Sequence, residues 1–199
     1  TCSAGSRVLV EQSVYEEVVK RLAERFAAVR SGPPADDLDM GPLINEKQFR
    51  QVRDMVATAE ASGVKVAARG TVSPNASASG YYQEAVLFRD VPADSELAQR
   101  EVFGPVLAVM PFADEAEAIR LANGTDFGLV AGVWTRDGGR QLRVANKLHC
   151  GQVFINNYGA AGGVELPFGG VKSSGFGREK GFEALLGFTT LKTIAIKHG

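Results

Sequence analysis

The chain is poor in the residues from which metal centres and disulfide frameworks are built. Its cysteines are Cys2 and Cys150 and its histidines His149 and His198, two of each. They lack the spacing of a zinc quartet, so no metal site is expected. So few cysteines fit a reducing, cytoplasmic setting. An excess of charge of one sign is missing too: 22 basic against 23 acidic residues leave a formal net charge of −1. No long-range field then favours nucleic acid or an anionic membrane, and neither is expected as a partner. No apolar run reaches the length of a membrane span, and no signal-peptide pattern or internal repeat is visible.

What remains is the composition of a soluble globular protein, 45% hydrophobic and 23% charged. The 199 residues suit one domain with a sizeable core. Glycine, 23 residues in all, concentrates in 159–187, which implies tight loops there.

Along the chain, strand and helix patterns alternate. Arg7 to Val10 is a short apolar strand. Ser13 with Glu16 has the spacing of a capping box, and Tyr15, Val18, Val19, Leu22, Phe26 and Val29 then recur at helical intervals. Ser31-Gly32-Pro33-Pro34 ends that helix. A second cap, Asn45 with Gln48, opens a helix carrying Phe49, Val52, Val56 and Ala59 inward. Gly63 closes it in the left-handed conformation, and a strand follows over 64–67. Residues 70–82 form a polar connection. Further strands are expected over 85–88, 106–112, 129–134 and 152–156, and helices over 95–100, 114–124 and 139–148. The apolar run Val106 to Phe112 has the character of a buried parallel strand. The alternation argues for an α/β domain with a mostly parallel open sheet and flanking helices. Beyond a glycine-rich loop over 159–177, a short helix near Glu179–Leu186 and a last strand, Thr190 to Lys197, are expected. That terminal strand either joins the domain's own sheet or adds to another subunit's.

Three stretches could carry chemistry. The first is Thr1-Cys2-Ser3-Ala4-Gly5-Ser6-Arg7, where small residues leave the thiol approachable and let backbone N–H groups reach a bound oxygen. Cys2 is either a buried structural cysteine near a frayed end or a thiolate nucleophile. The second is Glu101-Val102-Phe103-Gly104-Pro105-Val106. Its carboxylate could hold a sugar's hydroxyls beside an aromatic wall, or be a solvated surface charge. The third is Leu166-Pro167-Phe168-Gly169-Gly170-Val171-Lys172-Ser173-Ser174-Gly175, in which Phe168 could line a pocket or anchor the loop in the core. Gly175-Phe176-Gly177 with Gly181 imitates a dinucleotide fingerprint, but its spacing is one residue too long and it follows a polar loop.

Taken together and in order, these stretches resemble the aldehyde dehydrogenase superfamily. Gly41-Pro42, Asn123-Gly124-Thr125-Asp126-Phe127-Gly128-Leu129 and Gly151-Gln152-Val153-Phe154-Ile155-Asn156 agree with it, so the resemblance covers nearly the whole chain. It implies a catalytic domain over 1–187 and a C-terminal oligomerisation strand over 188–199. It also implies that the N-terminal Rossmann-type cofactor domain, with the general base and an oxyanion-hole asparagine, lies outside these residues. The chain is then an excised piece or proteolytic fragment, inert alone, of a homodimeric or homotetrameric enzyme. By this resemblance Cys2 is the nucleophile that attacks a small aldehyde. Glu101 binds the nicotinamide ribose of NAD or NADP, Phe103 flanks the nicotinamide, and Gln48 offers a second ribose contact. Phe168 walls the substrate tunnel, to which Tyr158 to Gly163 also contributes, and Cys150 is structural. Two alternatives stand beside this reading. One is a stand-alone cysteine hydrolase, which would need His149 or His198 as its base. The other is an inert folding or assembly module.

Overall fold

A computed structural model describes residues 1–159 and 163–199. Contacts divide them into two compact units, Thr1–Gly124 and Thr125–Gly199, a division that falls inside the span read from the sequence as one domain. Among the described residues no helix is long and apolar enough to cross a membrane.

The first unit contains, in order, β1 (Arg7–Glu11), α1 (Tyr15–Ala28), β2 (Arg30–Ser31), α2 (Glu46–Ala61), β3 (Lys65–Arg69), β4 (Thr71–Val72), β5 (Val86–Arg89), α3 (Glu96–Gln99), β6 (Val106–Phe112) and α4 (Glu115–Asn123). Four strands form its main sheet in the order β1-β6-β5-β3. β6 runs parallel to both neighbours, with Arg7 opposite Ala108 and Val86 opposite Val106. Only β3 is antiparallel. β2 and β4 make a separate parallel pair.

Side chains alternate between the two faces of this sheet, as the period of two requires. Val86 and Phe88 of β5 pack with Val52, Val56 and Ala59 of α2, Leu97 of α3 and Leu121 of α4. Leu87, between them, packs on the other face with Tyr15 and Val19 of α1. Helices therefore cover both faces, which is why β5 and β6 read as unbroken apolar runs. Each fully buried side chain in them, such as Phe88 or Leu87, contributes about 1.5–3 kcal/mol relative to exposure.

Helix ends show where local signals decide. Asn45 Oδ1 accepts from Gln48 N at 2.8 Å, and Asp114 Oδ1 accepts from Glu117 N at 2.8 Å, as their spacing predicts. Gly63 closes α2 at φ +83°. The capping box at Ser13 and Glu16 does not form. Glu11 takes the N–H and the hydroxyl of Ser13 instead, closing a short 3₁₀ turn over 12–14. Glu16 is drawn to Arg89 on β5 in a two-pronged pair, at 2.5 and 3.2 Å.

The second unit holds β7 (Phe127–Gly128), β8 (Val130–Val133), α5 (Gly138–Lys147), β9 (Gln152–Ile155) and β10 (Val171–Lys172). β8 and β9 are parallel, and β7 pairs antiparallel with β10. The short helix expected near 179–186 is a 3₁₀ helix over Phe182–Phe188. Residues 189–199 form no strand within this chain and are exposed throughout. A strand is completed only by a partner, and neither the main sheet nor the two-stranded sheets take up this segment.

Candidate active site

Cys2 is exposed and its thiol is free, which removes the buried structural reading. It lies in a tight turn, with Ala4 N donating to Thr1 O at 3.2 Å. Four residues on, Ser6 O accepts from Ala108 N at 3.0 Å, which joins the stretch to the start of the main sheet. Arg7 secures that junction. Its Nη2 donates to Leu121 O and Ala122 O, both at 3.1 Å, at the C-terminal end of α4, where backbone carbonyls lack helical partners. A cation there also meets the negative end of the helix dipole. Burial pushes the Arg7 pKa down, and the guanidinium remains charged. In sequence Arg7 stands where the Cys2 stretch ends and the strand Arg7 to Val10 begins, and neither marks it as an anchor. Its signal was weak, a lone arginine entering an apolar strand.

The 101–105 loop leads into β6. Val102 is buried, while Glu101 is exposed and Phe103 is 51% exposed. Phe103 adopts φ +53°, a left-handed conformation that bulky residues rarely take. Gly104 follows because α2 leaves no room for a side chain: a Cβ there would sit 2.5 Å from Val52 Cγ2. Pro105 O then accepts from Val86 N at 2.8 Å. Gln48, in the first turn of α2, turns its side chain onto this loop. Its Nε2 donates to Val102 O and Phe103 O, each at 3.0 Å.

β1 and β6 are parallel neighbours, so the residues that precede them enter from one edge of the sheet. Cys2, Glu101 and Phe103 are thereby brought to the amino edge, and Gln48 holds the carbonyls of Val102 and Phe103 there. An exposed thiol, an exposed carboxylate and a half-exposed ring on held backbone can offer a nucleophile, an acceptor for hydroxyls and an aromatic wall.

Phe168 belongs to the second unit. Its backbone exchanges hydrogen bonds with Glu179 at 2.6 and 2.7 Å, and Lys180 Nζ stands 5.6 Å from its ring centroid. The loop around it is packed through glycine. A Cβ at Gly151 would lie 1.6 Å from Gly169 O, and one at Gly181 would lie 2.8 Å from Pro167 Cγ. Gln152 Nε2 holds Pro167 O at 2.9 Å, and Arg178 Nη1 holds Gly170 O at 3.1 Å. Two of the sequence motifs are partners of one another: beside the β7–β10 pairing, Ser173 N donates to Asp126 O at 2.8 Å and Gly128 N to Ser174 Oγ at 3.0 Å. Of the expected tunnel loop from Tyr158 to Gly163, residues 160–162 lie outside the described residues.

Cys150 is half-buried, with Sγ donating to Gln152 O at 3.2 Å. Burial pushes its thiol up, which disfavours a reactive thiolate. His149 and His198 both lie in the second unit. Among the described residues no three or more His, Cys, Asp or Glu side chains gather as they would around a metal ion.

A family model described as "Aldehyde dehydrogenase family" matches residues 1–194. An aldehyde dehydrogenase of Emericella nidulans is 40% identical over 199 residues, covering 100% of this chain and 39% of the relative. A crystal structure of a provisionally assigned aldehyde dehydrogenase from Burkholderia cenocepacia superposes with a TM-score of 0.96 at 64% identity, over 100% of this chain and 42% of that one. The aldehyde dehydrogenase of Bacillus cereus, solved in complex with NAD+, superposes at 0.85 with 40% identity, over 93% of this chain and 37% of that one. The chain thus spans about two fifths of the length of the relatives it matches.

Proposed function

The chain belongs to the aldehyde dehydrogenase family, and we propose that it supplies the nucleophile and part of the cofactor cradle of an enzyme oxidising an aldehyde to a carboxylic acid. The observation that carries this reading is the delivery of an exposed, free Cys2 and the Glu101–Phe103 loop to one edge of a single sheet. NAD or NADP is the acceptor, held mainly by parts of the protein beyond these residues. The B. cereus relative solved with NAD+ supports that choice of cofactor class. The local donor set fits it: Glu101 is free to accept from ribose hydroxyls, and the exposed face of Phe103 can flank a nicotinamide, with Gln48 beside them.

The Cys2 thiolate forms a bond to the aldehyde carbon, and the carbonyl π pair moves to oxygen, giving a thiohemiacetal. The backbone N–H of Cys2 donates to that oxyanion, an interaction worth roughly 3 kcal/mol for such donors. When bound, NAD(P) would supply the two-electron acceptor for the hydride that leaves the carbon as the oxyanion pair re-forms the carbonyl. Cys2 then carries a thioester. Water adds to it, the carbon–sulfur bond breaks, and the acid leaves with the thiolate restored. The general base comes from outside this stretch, so the 199 residues alone are not competent. Phe168 walls the substrate tunnel. Residues 188–199 serve as a strand added to another subunit's sheet in a homodimer or homotetramer. The lack of any strand pairing over 190–199 within this chain and the exposed Leu191, Ile194 and Ile196 support this.

Cys2→Ala in the full-length protein tests the reading. Oxidation of a simple aldehyde should fall by on the order of 10³-fold or more, with NAD(P) binding retained. Turnover within tenfold of the unaltered protein would exclude Cys2 as the nucleophile.

A further inference from the structure

The two hydrogen bonds from Gln48 give it a task of its own. We propose that Gln48 is a positioning residue, clamping the 102–103 carbonyls so that Phe103 stays left-handed and holds its ring out of the core. This inference rests on the function proposed above. A carboxamide nitrogen has two N–H groups, and the carbonyls of Val102 and Phe103 accept from Gln48 Nε2 at 3.0 Å each, so both donors are spent on the loop. What they hold is an unfavourable backbone. A phenylalanine at φ +53° persists only where its surroundings over-determine it. The other restraints lie on either side: Val102 is buried, Gly104 sits against Val52, and Val106 N donates to Gly104 O at 2.7 Å. None of these holds the Phe103 carbonyl itself. Gln48 does.

The clamp is also rigidly mounted. Asn45 caps the helix just before Gln48, and Val52, one turn on, is fully buried. Gln48 and Phe103 are 55 residues apart, so the contact ties a helix end to a loop that no local signal would join. With its donors occupied, Gln48 acts on the cofactor through the placement of Phe103, beyond any contact its remaining oxygen makes with a ribose.

The test uses the full-length protein. In a crystal structure of the Gln48→Ala variant without cofactor, Phe103 should leave the left-handed region. In kinetics with a simple aldehyde and NAD(P)+, kcat should fall about tenfold, with a smaller change in cofactor Kd. Gln48→Glu, whose carboxylate cannot donate, should behave likewise at pH 8. Phe103 keeping φ near +53° in Gln48→Ala, or a rise in cofactor Kd with kcat unchanged, would overturn the proposal. Should the alanine variant not fold, the glutamate variant decides by the same φ and the same split between kcat and cofactor Kd. If the unaltered protein oxidises no aldehyde, the proposed function fails, and the φ of Phe103 still decides the role of Gln48.

Discussion

Gly104→Ala is the most informative change outside the reacting groups. The added Cβ would stand 2.5 Å from Val52 Cγ2 and 3.1 Å from Cγ1. Ordinary carbon contacts are about 3.5–4.0 Å, so the loop and α2 must part by about 1 Å. Val52 cannot turn aside, because a β-branched side chain in a helix is nearly confined to one rotamer and this one is fully buried. Overpacking of this kind costs about 1–3 kcal/mol. The lower chain entropy of alanine returns about 0.4–1 kcal/mol, since Gly104 does not need a positive φ. The net expectation is a loss of about 1–2 kcal/mol. Val52→Ala alone should cost about 2 kcal/mol through lost burial and the cavity it leaves. In the double variant the new methyl occupies that cavity, so the two losses should fall short of adding by at least about 1 kcal/mol. Urea unfolding of the four proteins measures this. Additivity within about 0.5 kcal/mol would refute the packing argument. Because Gly104 follows Phe103, aldehyde oxidation in Gly104→Ala should also fall further than the stability loss explains, and recover in the double variant.

Two further changes probe the scaffold. Gly151→Ala would place a methyl 1.6 Å from Gly169 O, a backbone atom that no rotamer change can move. A loss of more than about 3 kcal/mol in urea unfolding is expected, and a stable, active variant would contradict the packing of the Phe168 loop. Asp90 bears on acid stability. Burial opposes its ionisation, but hydrogen bonds from Arg89 and Tyr15 and the charges of Arg89 and Lys65 outweigh that, leaving its pKa below the ordinary value of 3.8. In that window the unfolded chain binds more protons than the folded one, so the stabilisation is complete above the unfolded value and lost as pH falls through the folded one. The stability gap between the unaltered protein and Asp90→Asn should stay constant from pH 7 to about 5 and close below about 4. A gap unchanged down to pH 3 would exclude the carboxylate as its source.

These cases mark what could be read from residues in order. Asn45, Gly63 and the Asp114–Glu117 pair act on their own helix ends, and the structure keeps each of them. The apolar run at β6 announced burial, and helices do cover both of its faces. Ser13 and Glu16 failed because two other groups compete for them: Glu11 lies two residues before Ser13, and Arg89 lies on a distant strand. Strand Thr190–Lys197 finds no partner within this chain for a related reason, since pairing is a property of two segments and only one was legible. Among candidate site residues, Cys2 and Glu101 are both exposed. The target of Gln48 and the grip of Arg7 on α4 are long-range contacts that no spacing encodes. The late motifs were visible as motifs, yet their shared role as mutual packing appeared only when β7 met β10.

The placement of Cys2 at the amino edge follows from the topology. In a parallel sheet every strand begins at the same edge, and the connecting helices carry the chain back there. β1 and β6 both obey this, so the stretches before them, one bearing Cys2 and the other Glu101 and Phe103, share the amino edge whatever lies between them in sequence. α4 leaves the far end of β6 and returns to this edge, which brings its last carbonyls to Arg7. α2 runs the opposite way. Its first turn meets the loop at the amino edge, and the strand after it pairs Lys65 with Arg89 at the far end of β5. β3 must therefore be the antiparallel strand. One exception to parallel order thus has the same origin as the contact of Gln48 with the Phe103 loop: a helix that starts at the candidate site and ends where β3 begins. Reversing α2 would make β3 parallel and take Gln48 to the wrong edge. In this unit the direction of one helix and the integrity of the candidate site are a single structural requirement.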